Sequence, residues 1–217
     1  MKPSLIVFDL DGTLVDSRRD IADAANETLA AFGATPLAEA AIGRMVGDGA
    51  PTLVARAFAA AGVDKPANAL DRFLLFYGNR LLNHTRPYPG IPEVLEQLGA
   101  RAALAVLTNK PLAATRQILE GLDLARFFQP ERVVGGDGPH PRKPDPAGLQ
   151  HLIASAGVPV DAAILVGDSV IDWRAARNAA VHVCLARYGF GWDTFPIEEL
   201  DASASVVDSP DQLLRYL

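Results

Sequence analysis

Leu5-Ile6-Val7-Phe8-Asp9-Leu10-Asp11-Gly12-Thr13-Leu14 decides the fold of this chain. The four apolar residues at its start, mostly β-branched or aromatic, read as a strand buried on both faces, as in a parallel sheet. The run stops at two aspartates one residue apart and then at Gly12. A strand's carboxyl end is where an open α/β sheet places its ligands. On an ideal strand Asp9 and Asp11 share a side, but a turn beginning at Leu10 would re-aim either one. The stretch also reads as a plain solvated Asp-Gly turn. It is not an EF-hand loop, because Gly12 comes too early and a strand rather than a helix precedes it. The decision rests on whether later strands end in polar residues of a matching kind.

Working outward, the period changes at once from strand to helix. Ile21, Ala25, Leu29 and Phe32 recur at helical spacing, with Gly33 placed to end the helix. Further helices are expected over Leu37–Val46, Thr52–Ala61 and Leu70–Leu81. No strand is expected between Asp16 and Arg86. After the break at Tyr88-Pro89-Gly90 the chain alternates. Strands are expected over Ala102–Leu107, Arg132–Gly135, Ala162–Val166, Val181–Ala186 and Ser205–Val207. Helices are expected over Ile91–Leu98, Leu112–Leu122, Pro146–Ala156, Val170–Ala180 and Pro210–Leu217. Alternation of this kind means βαβ units and right-handed crossovers. The fold class is therefore α/β: a Rossmann-like parallel sheet with helices on both faces and a small inserted helical cap. The core is assigned to residues 1–15 and 88–217 and the cap to residues 16–87.

Bulk properties narrow the function. The 217 residues suit one domain with a modest insertion, and 49% hydrophobic residues supply a core. A net charge of -6 without a basic run argues against a nucleic-acid surface. The first apolar run is too short for a signal peptide or membrane span, so a soluble, cytoplasmic protein is expected. Cys184 is the one cysteine and reads as a buried structural thiol.

Four strand ends carry polar residues: Asp9 with Asp11, then Thr108, then a glycine-proline loop holding Lys143, then Asp168 with Asp172 a helical turn later. Carboxylates converging on one sheet edge repel unless a cation sits among them. Their oxygens suit Mg2+, which usually keeps waters and a substrate phosphate in its shell. A nearby lysine and threonine hydroxyl offer charge and a hydrogen bond to phosphoryl oxygens. The loop Gly47-Asp48-Gly49 opens a helix whose first amides are unpaired and whose dipole favours anions. Gly47 and Gly49 are thus candidate substrate contacts, with Asp48 expected to turn back and cap its own helix.

The ordered set Asp9-Leu10-Asp11-Gly12-Thr13, Thr108-Asn109, Lys143 and Gly167-Asp168-Ser169 with Asp172 resembles the haloacid dehalogenase superfamily over the whole chain. The resemblance implies a phosphatase in which Asp9 is the nucleophile and Asp11 the general acid/base. It implies Mg2+ held by the Asp9 carboxylate, the Asp11 carbonyl and Asp168, with Asp172 an accessory ligand or outer-shell partner. Thr108, Asn109 and Lys143 would bind the substrate's phosphoryl group. Asp11 argues against the dehalogenase and phosphonatase branches, which lack an aspartate there. The helical insertion is similar to that of the subgroup with phosphoglycolate phosphatases and β-phosphoglucomutases. The loop Val46-Gly47-Asp48-Gly49-Ala50 has no basic residue and looks like the phosphatase side, with a small phosphorylated metabolite, 2-phosphoglycolate, as expected substrate. Alternatives are a phosphosugar mutase, a phosphatase for another sugar phosphate, nucleotide or pyrophosphate, and a phospho-aspartate receiver. The receiver needs only about half this length and has no insertion after its first strand. No nucleic-acid or membrane partner is expected, and a monomer and a homodimer both remain open. One departure from the subgroup is Ala180, where glycine is frequent.

The remaining residues have plainer readings. Asp16 and Ser17 form the first hinge or cap the helix that follows, and Pro87–Pro89 form the second hinge. Asp145 caps a helix and Asp137 sits in a turn. Trp173 and Trp192 pack, and Arg44, Arg56 and Arg86 are solvated residues of the insertion. The four histidines show no metal spacing.

Overall fold

The computed structural model describes residues 2–201 and 204–217. Six parallel strands form the sheet: β1 (Leu5–Phe8), β4 (Ala103–Leu107), β5 (Val133–Val134), β6 (Ala163–Gly167), β7 (His182–Ala186) and β8 (Ala204–Val207). Their order is β5-β4-β1-β6-β7-β8, so the chain leaves β1 to one side and returns to the other. That reversal makes the carboxyl end of β1 the switch point where such sheets place ligands. The register puts Phe8 beside Val106 and Val166, and Leu107 beside Val134. Asp9, Thr108 and Asp168, each the residue after its strand, therefore emerge side by side.

Alternation along β1 explains why both faces need cover. Ile6 and Phe8 join one apolar cluster, and Leu5 and Val7 join the other. Helices α5 (Ile91–Gly99), α6 (Leu112–Gly121) and the terminal turn α9 (Leu213–Tyr216) bury Leu95, Ile118 and Leu213 in the first cluster. Helices α7 (Ala147–Ala156) and α8 (Val170–Asn178) bury Leu149 and Trp173 in the second. The expected parallel sheet, with helices on both faces, is present.

Between β1 and α5 lie four helices: α1 (Arg18–Ala31), α2 (Glu39–Gly43), α3 (Ala50–Ala60) and α4 (Ala69–Gly78). Their apolar faces supply Leu29, Ile42, Phe58 and Phe73 to the cluster that also holds Leu10 and Leu14, so the insertion packs continuously onto the core. The absence of strand expected here is incorrect at its two ends. Val15–Asp16 (β2) pairs antiparallel with Arg86–Pro87 (β3), joining the entry and exit of the insertion. Two residues are too few to show an alternating pattern, and Pro87 hides the second strand.

Other differences are local. The second helix shrinks from Leu37–Val46 to α2, and α3 starts at Ala50. The expected strand over Arg132–Gly135 is only Val133–Val134, since Pro130–Arg132 forms a 3-10 turn. The closing helix is a 3-10 turn, Pro210–Gln212, followed by α9. Ala180 follows α8 with φ +56°, the left-handed conformation that glycine adopts without cost. Among the described residues, no helix is long and apolar enough to cross a membrane.

Candidate active site

A tight turn builds the first part of the site. The Leu10 carbonyl accepts hydrogen bonds from the amides of Thr13, Leu14 and Val15, so the chain curls back directly after β1. This settles the two readings of the aspartate pair: the turn sends each to a different cation. Asp9 Oδ1 accepts from the Leu10 amide at 2.7 Å and from Lys143 Nζ at 2.9 Å. Asp11 receives Lys110 Nζ at 2.8 Å on both carboxylate oxygens and the Ser17 hydroxyl at 2.5 Å on Oδ1. Gly12 has φ +86°, and a Cβ there would lie 1.9 Å from Asp168 Oδ2. Only glycine lets the turn approach Asp168 so closely.

The other strand ends complete the arrangement. Asp168 is buried, accepting from the Gly191 amide at 2.7 Å and the Thr13 hydroxyl at 3.4 Å. Ser169 and Asp172 form a capping box that starts α8. Asp172 Oδ2 takes the Ser169 amide and hydroxyl, while Oδ1 takes Lys143 Nζ at 2.6 Å. Thr108 is buried at the end of β4, and its Oγ1 accepts from the Lys110 amide. Asn109 spans two segments: its amide nitrogen donates to the carbonyls of Lys143 and Gly47. A cavity of about 260 Å³ is lined by Asp9, Asp11, Thr108, Asn109, Asp168, Gly47 and Gly49. Lys143 and Asp172 are buried beside it, joined to it through Asp9.

Electrostatics follow from that burial. Desolvation raises Asp9 to about 6, against the pull of Lys143. Burial and the neighbouring carboxylates Asp172 and Asp9 push Asp168 well above the usual range. Burial alone would lower Lys110 and Lys143, but their aspartate partners hold both above the ordinary lysine value. The four carboxylates exceed the two ammonium groups by two charges. Carboxylate oxygens of Asp9, Asp168 and Asp172 lie within 4.8 Å of one another. Hard oxygen donors carrying two uncompensated charges fit a divalent cation such as magnesium.

Several residues do not behave as their sequence suggests. Asp48 does not cap α3; its carboxylate pairs with Arg56 at 2.6 Å, and Gly49 is the N-cap residue. Arg56 is therefore engaged rather than simply solvated. Ser17 precedes α1 without capping it, because its hydroxyl is spent on Asp11, and Asp16 receives the Arg18 amide instead. Asp137 does lie in a turn, as expected, and from there accepts from the Leu112 amide at the start of α6. Asp145 does receive the Ala147 amide at the start of α7. The sequence reading missed Lys110, Ser17 and Gly191. Lys110 carried a usable signal, as a basic residue two places beyond a strand-end threonine. Gly191 carried none, since its amide is placed only by the loop after β7.

Comparison with known proteins agrees with this geometry. The profile of the haloacid dehalogenase-like hydrolases matches residues 6–186. The phosphoglycolate phosphatase of Rhodospirillum rubrum is 46% identical over 211 residues, covering 93% of this chain and 86% of that protein. The phosphoglycolate phosphatase of Agrobacterium fabrum is 39% identical, covering 94% and 88%. Among solved structures, a predicted phosphoglycolate phosphatase from Haemophilus somnus superposes with a TM-score of 0.91 at 30% identity, covering 100% of this chain and 98% of that one. A match along most of the sequence, in a chain whose sheet edge gathers four carboxylates, places it in the haloacid dehalogenase-like hydrolase family, as an enzyme of its phosphoric monoester hydrolase branch.

Proposed function

We propose that the enzyme hydrolyses a small phosphomonoester, 2-phosphoglycolate, in a magnesium-dependent reaction that passes through a phosphoryl group on Asp9. The observation that carries this reading is the placement of Asp9 at the end of β1. Oδ1 is held by Lys143 and the Leu10 amide, and no hydrogen bond from the described residues reaches Oδ2. Asp9 then attacks phosphorus as its bond to the ester oxygen breaks, and Asp11 gives that oxygen a proton. In the second half Asp11 takes a proton from water, the water oxygen attacks phosphorus, and the bond to Asp9 breaks to release phosphate. Lys143 and the Thr108 hydroxyl stabilise the transferring group, and Asn109 fixes the backbone around it.

Asp9, Asp168 and the Asp11 carbonyl would hold magnesium, with Asp172 orienting Lys143 beside them. When bound, the metal neutralises charge on the phosphoryl oxygens. Residues 16–87 serve as a cap over the site. The amides following Gly49 receive the substrate carboxylate, a role helped by the pairing of Asp48 with Arg56. Similarity to the Rhodospirillum rubrum phosphoglycolate phosphatase supports this substrate. A second substrate class is favoured by the cavity's apolar walls, which include Leu53, Phe73, Leu81 and Phe190. These suit a phosphoester with an apolar leaving group.

A panel of small phosphate esters, with and without magnesium, tests both. Selectivity for 2-phosphoglycolate, with activity lost in chelator and restored by magnesium, is the expected result. Preference for an aryl or alkyl phosphate would shift the assignment to the second class. Full activity in excess chelator would remove the metal from the reading.

A further inference from the structure

We propose that Lys110 is a positioning residue that fixes the orientation of the Asp11 carboxylate, and that Tyr77 of α4 completes its hold. This rests on the reading of Asp11 as the acid/base group. A buried ammonium is costly unless fully paired. The Lys110 side chain is 4% exposed and faces a cavity with mainly apolar walls. It is not needed to neutralise the nucleophile, because Lys143 already bridges Asp9 and Asp172. Its nitrogen instead lies 2.8 Å from each Asp11 oxygen. Two contacts from one donor fix a carboxylate against rotation about its Cβ–Cγ bond, which one contact would not.

The remaining side of the ammonium is covered from across the cavity. Lys110 Nζ sits 4.6 Å from the centroid of the Tyr77 ring, a cation–π arrangement between the insertion and the core. With two oxygens and a ring around it, Lys110 has little left to offer a substrate anion directly. The Ser17 hydroxyl at the first hinge adds a second donor and a third hydrogen bond to Asp11. Asp11 is thus held by residues of both the core loop and the hinge, while its lysine is held by the insertion.

The test uses p-nitrophenyl phosphate, whose leaving group departs without a proton, and follows the first turnover as well as the steady state. Lys110→Met should retain a rapid release of one p-nitrophenolate per site, because phosphorylation of Asp9 does not need Asp11. Steady-state turnover, which needs Asp11 to deprotonate water, should fall about 10–100-fold. In an Asp11→Asn background the same lysine change should cost less than about 3-fold, since there is no carboxylate left to orient. Equal losses in the two backgrounds, or a raised KM with unchanged kcat, would overturn the proposal and make Lys110 a substrate contact. Full turnover by Asp11→Asn alone would overturn the acid/base reading itself, a distinct result. Tyr77→Leu leaves both charges in place and serves if Lys110→Met does not fold. Its steady state should fall several-fold with the initial release intact, and an unchanged steady state would overturn the proposal.

Discussion

Asp172 faces two ways: Oδ1 lies 2.6 Å from Lys143 Nζ, and Oδ2 closes the capping box with Ser169. One buried carboxylate therefore starts α8 and aims the lysine that touches Asp9. Asp172→Asn keeps the shape but removes the charge that steadies Lys143. Turnover should fall about 10–100-fold and magnesium should bind more weakly. Steady-state kinetics against magnesium concentration, with a thermal melt to confirm folding, would show this; unchanged kinetics would reduce Asp172 to a helix cap.

Magnesium and protons should compete for the same carboxylates. Asp9 is raised from 3.8 to about 6, chiefly by burial, and Asp168 moves the same way. Each binds a proton that the unfolded chain has already lost. Without metal, the contribution of Asp9 to stability is full below 3.8 and is lost as pH rises through about 6, and that of Asp168 falls in the same direction as pH rises. Magnesium binds the ionised forms, so the rise in Tm on adding it should be larger at pH 7.5 than at pH 5. An increment independent of pH would mean that the ion binds elsewhere.

Gly49 caps α3 with φ +86°, and a Cβ there would meet the Asn109 carbonyl and Arg142 at 3.3 Å. Gly49→Val strains the turn and crowds the contact between the insertion and the core. If the α3 amides hold the substrate carboxylate, kcat/KM should drop further for 2-phosphoglycolate than for p-nitrophenyl phosphate. Equal losses in a folded protein would remove this loop from substrate recognition.

Ala180 sits at φ +56° after α8, away from the acidic site. Ala180→Gly should relieve the strain and stabilise the protein by about 1 kcal/mol. For a chain of this length that is roughly 2–4 °C in Tm. Differential scanning calorimetry would register it, with kcat unchanged.

Much of this was legible in the sequence because strand-end chemistry is local. The run Leu5–Phe8 announces its strand, and the residue after each strand lands on the same sheet edge whatever the loops do. Thus Asp9, Thr108 and Asp168 could be placed together in advance. What escaped depends on particular folded contacts that no local pattern announces. The β2–β3 pair joins residues about seventy positions apart, and the Asp48–Arg56 and Ser17–Asp11 bonds replaced plausible local caps. Lys110 was not assigned to the site, although it lies two places beyond Thr108, and it is the fold that turns it towards Asp11.

Asp9 as the phosphorylated residue is the centre of the proposed reaction. Asp11→Asn, incubated with magnesium and p-nitrophenyl phosphate and acid-quenched, should accumulate a phosphoryl group that neutral hydroxylamine removes. Peptide mass spectrometry of that adduct is the most direct measurement. The expected result is modification on Asp9, with none in the Asp9→Asn protein, whose kcat should be at least ~10³-fold below the parent. A phosphoryl group mapped to another residue, or near-normal turnover by Asp9→Asn free of parent enzyme, would contradict it.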